Sequence, residues 1–177
     1  EVYNKLVLTG EHIPIATLQG MRERTITLRS LGKVFSVTGW KIGWSVAPPE
    51  YTTAIRNAHQ FLTFCTATPL QVAAATALRA PEDYFSTYID HYRERRDILV
   101  DGLVSVGFNV QSPQGTYFIL ADHTPFGFDD DIAFCHHLVK TCGVVGIPPT
   151  AFYAQSDEGR GLVRFAFCKS LDTLKTA

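Results

Sequence analysis

The chain of 177 residues carries almost no net charge, because 16 lysines and arginines stand against 17 aspartates and glutamates. That balance gives no broad basic field for nucleic acid or an anionic membrane surface, so small molecules and protein surfaces are the expected partners. Cysteine is scarce as well, and Cys65, Cys135, Cys142 and Cys168 lack C-x-x-C spacing. A chain this long needs no disulfide staples, so reduced thiols and a cytosolic setting are expected. No apolar run approaches the roughly 20 residues of a membrane span. No signal-like start, internal repeat or low-complexity segment is present either. The first residue is Glu1 rather than methionine, in a structured-looking segment, and Lys175 to Ala177 read as an unfinished helix. A piece of a longer protein is therefore expected.

What is present is globular, with 46% hydrophobic and 19% charged residues. Strand-like and helix-like segments alternate, which predicts an α/β chain. Arg24 to Ser30 and Lys41 to Val46 alternate polar and apolar residues at period two, and Pro48-Pro49 ends the second run. Glu50 to Phe61 and Pro69 to Ala80 read as helices that cover the sheet. Pro81 opens the strongest helical pattern, with Phe85, Ile89, Tyr92, Leu99, Leu103 and Val106 on one stripe and Gly107 as its stop. Beyond it come strand-like Gly115 to Leu120, a helix over Asp131 to Thr141, and strand-like Val144 to Ile147 and Leu162 to Phe167. Ala121 to Phe128 reads as a surface loop. The expected division is residues 1–80 and 81–177.

Between the first two strand-like runs lies S-L-G-K-V-F-S-V-T-G-W-K-I-G-W, Ser30 to Trp44, with two lysines eight apart among glycines and tryptophans. A lysine in a tight loop between strands can be desolvated into a nucleophilic amine, which is what Schiff-base chemistry needs. Ser30 adds a hydroxyl three residues before Lys33. Lys41 adds a second cation after Gly39, where the backbone can turn closely, and the two groups could converge on one phosphate. Together they describe a phosphate-bearing aldehyde. Cys135-His136-His137 with Cys142 falls in an apparent amphipathic helix without paired ligand spacing, so no metal is expected there.

This segment resembles the cofactor-lysine signature of the aspartate aminotransferase superfamily, the fold-type I enzymes that use pyridoxal phosphate. Within that superfamily it is most similar to the kynurenine/glutamine/methionine transaminase group. The resemblance implies the C-terminal part of a large cofactor-binding domain over residues 1–80, followed by a small α/β domain over 81–177. It implies that Lys33 carries the cofactor and shuttles the substrate proton, and that Ser30 and Lys41 bind the phosphate. Much of the superfamily has arginine at the position of Lys41, and lysine is a point charge without arginine's fork.

Glu1-Val2-Tyr3 resembles the end of the family's D-E-V-Y segment, which implies that the Tyr3 hydroxyl bonds the cofactor's phenolic oxygen. Leu162 to Phe167 resembles the R-F-x-F strand, which implies that Arg164 grips the substrate α-carboxylate. Phe64, in His59 to Thr66, falls where the family's chain crosses its dimer interface, which implies contact with substrate there and a homodimer. The aspartate that pairs with the pyridinium nitrogen is expected immediately before Glu1. The implied activity is transamination between a neutral or aromatic α-amino acid and a 2-oxo acid. β-Elimination on cysteine conjugates and a ligand-sensing domain of a transcription regulator remain as alternatives.

Overall fold

The computed structural model describes residues 1–177, with the side chain of Ser156 left aside. The chain divides into two compact units, Glu1–Thr87 and Tyr88–Ala177, each described by itself. Helices and strands alternate along both, as expected of an α/β chain.

In the first unit, β1 (Thr27–Ser30) runs into a single helical turn, α1 (Leu31–Val34), and the chain reverses into β2 (Gly43–Val46). The strands pair antiparallel, with Thr27 opposite Val46 and Ser30 opposite Gly43. Gly43 is required by this pairing, because a β-carbon there would lie 2.7 Å from the Arg29 carbonyl oxygen. Pro48 and Pro49 start α2 (Pro49–Leu62), where a missing N–H costs nothing, and α3 (Thr68–Ala77) follows. The core of the unit consists of Leu6, Leu8, Leu31, Val34 and Ile42. The first residues of α4 (Glu82–Ser105) close it, where the Tyr84 hydroxyl donates to the Val34 carbonyl at 3.1 Å and the Tyr84 ring stacks on Phe35.

Two expectations for this unit need correction. The first strand begins at Thr27 because Arg22–Arg24 forms a 3₁₀ turn, held by the Thr25 hydroxyl donating to Met21 O at 2.6 Å. Nor do α2 and α3 cover a sheet as core helices do, since neither carries a fully buried residue.

The rest of α4 opens the second unit and ends at Ser105, just before the glycine expected to stop it. A three-stranded antiparallel sheet follows, in the order β3 (Asn109–Val110), β4 (Phe118–Asp122), β5 (Leu162–Ala166). Alternation places Ile119, Ala121, Val163 and Phe165 inside. It turns Arg164 to the other face, opposite Leu120. Helix α5 (Asp131–His137) continues as a π-helical turn over Leu138–Cys142, and α6 (Leu171–Thr176) closes the chain. Phe108 packs edge-on against Phe134 and Phe165 in this core.

Here β4 starts at Phe118 rather than Gly115, because Thr116 adopts a left-handed φ of 70° and its hydroxyl bonds the Phe118 backbone. The strand expected over Val144 to Ile147 does not form. Val144 N–H is spent closing the helix end onto Leu138 O at 3.2 Å, and Ile147 alone bridges to Arg164. The expected surface loop from Ala121 holds a fully buried residue, His123, whose ring stacks on Phe134 at 4.5 Å.

Candidate active site

The lysine turn is fixed by short-range hydrogen bonds. Ser30 ends β1 in an extended conformation and caps α1, its hydroxyl accepting from Gly32 N–H at 3.0 Å and donating to Ile42 O at 3.2 Å. Leu31 N–H donates to the same Ile42 carbonyl at 3.1 Å, which ties the two sides of the reversal together. Lys33 sits half-buried in α1 between the buried residues Gly32 and Val34. The expected loop lysine is thus a helical one. Ser36 and Lys41 both take φ of 54°, a left-handed conformation that costs a side-chain-bearing residue energy and recurs at functional sites. Gly39 does sit in a tight turn, the 3₁₀ stretch Thr38–Trp40, but the turn does not need a glycine, since a β-carbon there would meet nothing within 4 Å. Lys41 itself makes the reversal, and its side chain is exposed. One reversal therefore carries Ser30, Lys33 and Lys41.

The Tyr3 segment lies along β1. Glu1 N donates to Leu28 O at 2.8 Å, and Glu1 Oε2 accepts from Arg29 Nη2 at 3.1 Å with His12 Nε2 at 3.5 Å. Burial pushes the Glu1 carboxyl up, but the hydrogen bonds and charges of Arg29 and His12 outweigh it and hold the group below the usual range. Tyr3 is half-buried, and its carbonyl closes a turn with Leu6 N–H at 2.8 Å. Arg29 and His12 were missed by the sequence reading. The available signal was a charged residue placed immediately before Ser30 in a half-buried strand.

Phe64 follows α2 with a left-handed φ of 67° and is 77% exposed; Phe61 and Leu62 before it are 87% and 85% exposed. Phe64 borders an open hollow of about 420 Å³ that Trp44, His59, Cys65 and Gln71 also line.

Arg164 belongs to the second unit. Its guanidinium carbon lies 4.0 Å from the Phe118 ring centre, 5.6 Å from that of Phe152 and 6.0 Å from that of Tyr117. Nη2 donates to the Tyr117 hydroxyl at 3.4 Å, while the buried Nε has no partner among the described residues. A guanidinium held by rings, with an unused donor and no carboxylate of the described residues paired to it, can receive a carboxylate by two parallel bonds.

The donor set of the reversal fits a phosphorylated aldehyde: a half-buried amine among apolar neighbours, a hydroxyl at a strand end and an exposed ammonium. The Ser30 hydrogen is committed to Ile42 O, so this hydroxyl must turn to donate to a phosphate. No cluster of three or more metal-ligating side chains occurs among the described residues. Cys135 is buried, and burial followed by the charge of Asp131 pushes its thiol up to about 11.

All 177 residues match the family model described as aminotransferase class I and II. The chain is 42% identical to a probable N-succinyldiaminopimelate aminotransferase of Mycobacterium tuberculosis, over all of this chain and 47% of that protein. It is 40% identical to a kynurenine–oxoglutarate transaminase of Dictyostelium discoideum, over all of this chain and 46% of that one. Among solved structures, a methionine aminotransferase from Escherichia coli superposes with a TM-score of 0.93 at 37% identity, covering 99% of this chain and 46% of that one. The chain thus spans about half the length of the relatives it matches.

Proposed function

Because the chain belongs to the aminotransferase class I and II family, we propose that the complete protein transfers an amino group between an α-amino acid and a 2-oxo acid, with pyridoxal phosphate held on Lys33. The observation that carries this reading is the reversal from Ser30 to Val46, which sets a hydroxyl, a half-buried amine and an exposed ammonium between two paired strands. Pyridoxal phosphate, when bound, supplies the electron sink for charge left at the substrate's Cα. Lys33 Nζ is the amine that holds the cofactor and, once free, the base that takes the Cα proton and returns it. Ser30 Oγ and Lys41 Nζ hold the phosphate, Ser30 releasing Ile42 O to do so. The Tyr3 hydroxyl would help hold the cofactor at its phenolic oxygen, and the Glu1–Arg29 pair keeps the Tyr3 segment beside β1. Arg164 binds the substrate α-carboxylate.

Phe118, Tyr117 and Phe152 around Arg164 support a neutral or aromatic side chain, in keeping with the kynurenine and methionine named in two relatives. N-succinyldiaminopimelate is a second reading, favoured by the 42% identity to the mycobacterial protein. A panel of methionine, glutamine, phenylalanine, kynurenine, aspartate and N-succinyldiaminopimelate separates the two, and aspartate ranking first would remove both. The exposed Phe61, Leu62 and Phe64 support a homodimer in which this edge meets a second copy and Phe64 borders its substrate space. The proposed boundary between large and small domains follows Ala80, within a few residues of the division between the compact units at Thr87 and Tyr88.

The cofactor assignment is tested by borohydride reduction of the complete protein with pyridoxal phosphate, followed by peptide mass spectrometry. The added mass is expected on the peptide containing Lys33. Modification of another lysine, with Lys33 untouched, would reject the assignment.

A further inference from the structure

Asp131, the first residue of α5, is fully buried. It is not the cap of its helix, since Asp130 accepts from Ala133 N–H at 2.7 Å and does that work. Asp131 Oδ2 accepts instead from Thr150 N–H at 2.9 Å, across 19 residues of chain, and Oδ1 has no hydrogen-bond partner among the described residues. A buried carboxylate with one hydrogen bond is costly, although the first turn of a helix eases it, so the contact it makes needs a reason.

That contact fixes the segment running from Ile147 to Phe152. Thr150 lies in a 3₁₀ turn, Pro149–Phe152, and Pro149 is fully buried. Gly159 is pressed against this turn so closely that a β-carbon would lie 2.8 Å from Thr150 N and 2.9 Å from the Tyr153 ring. Both ends of the segment reach Arg164. Ile147 exchanges two backbone hydrogen bonds with it, each 3.0 Å, and the Phe152 ring centre lies 5.6 Å from the guanidinium carbon. With no ion pair among the described residues to orient the guanidinium, its placement depends on the rings around it and on its Tyr117 contact.

We propose that Asp131 is a positioning residue for Arg164: it anchors the Ile147–Phe152 segment, and that segment sets the guanidinium that receives the substrate carboxylate. The proposal rests on the reading of Arg164 as the carboxylate anchor. It is tested without turnover, by titration calorimetry of the complete protein with 3-phenylpropionate and with the uncharged 3-phenylpropanol. Asp131→Ala is expected to weaken the carboxylate by roughly tenfold, the size of an effect carried through a displaced segment, and to leave the alcohol unchanged. Asp131→Asn keeps an oxygen for Thr150 N–H and recovers most of the affinity.

Phe152 is 65% exposed, so Phe152→Ala keeps the fold and is expected to lose carboxylate affinity several-fold, again without effect on the alcohol. Arg164→Ala separates the two levels of the reading. If it binds 3-phenylpropionate as the wild type does, the anchor assignment falls and this proposal with it. If Arg164→Ala loses binding while folded Asp131→Ala and Phe152→Ala keep wild-type affinity, the positioning role alone is overturned. Should Asp131→Ala fail to fold, Phe152→Ala decides: a loss confined to the carboxylate supports the role, and unchanged affinity overturns it.

Discussion

The two units place Lys33 and Arg164 by different physical means. In the second unit, Phe167, Ile119, Val163, Pro149, His123 and Asp131 are all fully buried, and Arg164 stands on the outer face of a strand whose inner face is that core. In the first unit Leu6 and Leu31 are the large side chains buried to that degree among the described residues, while Leu28 on β1 and Val46 on β2 are each 61% exposed. A two-stranded pair has little stability of its own. The lysine reversal keeps its shape through local devices: the Ser30 cap, the shared Ile42 carbonyl and the close approach at Gly43. A turn built this way can be altered at a side chain without disturbing a core, whereas a core-mounted arginine is sensitive to residues far from it in sequence.

The largest expected effect tests that separation. Lys33→Ala in the complete protein should lower turnover by at least about 10⁴-fold, since on the proposed function it removes both the covalent amine and the positioned base. The unfolding midpoint should stay in place when followed through Trp40 and Trp44, which lie in the first unit and report on it. A variant with ordinary turnover would move the chemistry to another amine. A large stability loss would mean that Lys33 supports the reversal.

Next in size is a cavity in the second core. Phe167→Ala should cost about 3–5 kcal/mol, as for other fully buried aromatic truncations, whereas Leu28→Ala at an exposed position should stay within about 0.5 kcal/mol. Followed by amide hydrogen exchange of peptides against urea, Phe167→Ala should shift the second-unit signal while the first-unit signal moves less. Equal shifts in both signals would show that the two units unfold together, and the contrast drawn between them would fail as a statement about stability.

The lysine reversal and the arginine strand were legible because their signals are local. Period-two alternation marked the strands on either side of Lys33, the R-F-x-F resemblance marked the strand holding Arg164, and prolines marked the starts of the helices around residues 49, 69 and 82. Less legible were features set by backbone conformation. Thr116 and Lys41 take left-handed angles normally left to glycine, while Gly39, the residue expected to turn, does not need its freedom. Asp131 was invisible because its partner is a backbone N–H 19 residues away, a contact that composition and periodicity do not encode. Exposure of α2 and α3 was equally hidden, since apolar spacing identifies a face without saying what chain lies against it.

A smaller effect concerns the thiols. Cys65, Cys142 and Cys168 are exposed, while Cys135 is buried with its thiol pushed up to about 11 by burial and then by the charge of Asp131. Only the thiolate reacts with iodoacetamide, so at pH 8 Cys135 should label about a hundredfold or more slowly than the other three, measured by peptide mass spectrometry against time. Asp131→Asn should narrow that gap by removing the charge. Equal labelling of all four would mean that the core around α5 opens readily, and the second unit would lose its standing as the better-packed one.

The smallest effect is the pH dependence of the Glu1 clamp on the first unit. Burial alone would raise this carboxyl, but the Arg29 hydrogen bond, the His12 contact and their charges bring it below its ordinary value. A carboxylate held lower in the folded chain than in the unfolded one adds stability that is fully present above the unfolded value. That stability is lost as pH falls through the folded value, where protonation ends the attraction to Arg29. Glu1→Gln should therefore lower the fluorescence-detected urea midpoint at pH 7, and the difference from wild type should persist at pH 5 and shrink as the pH is taken on to 3. Amide hydrogen exchange in peptides of the second unit should show no such dependence on this residue, because Arg29 and His12 both lie in the first. A difference that grew on acidification would reverse the sign of the coupling and detach the Tyr3 segment from the clamp assigned to it.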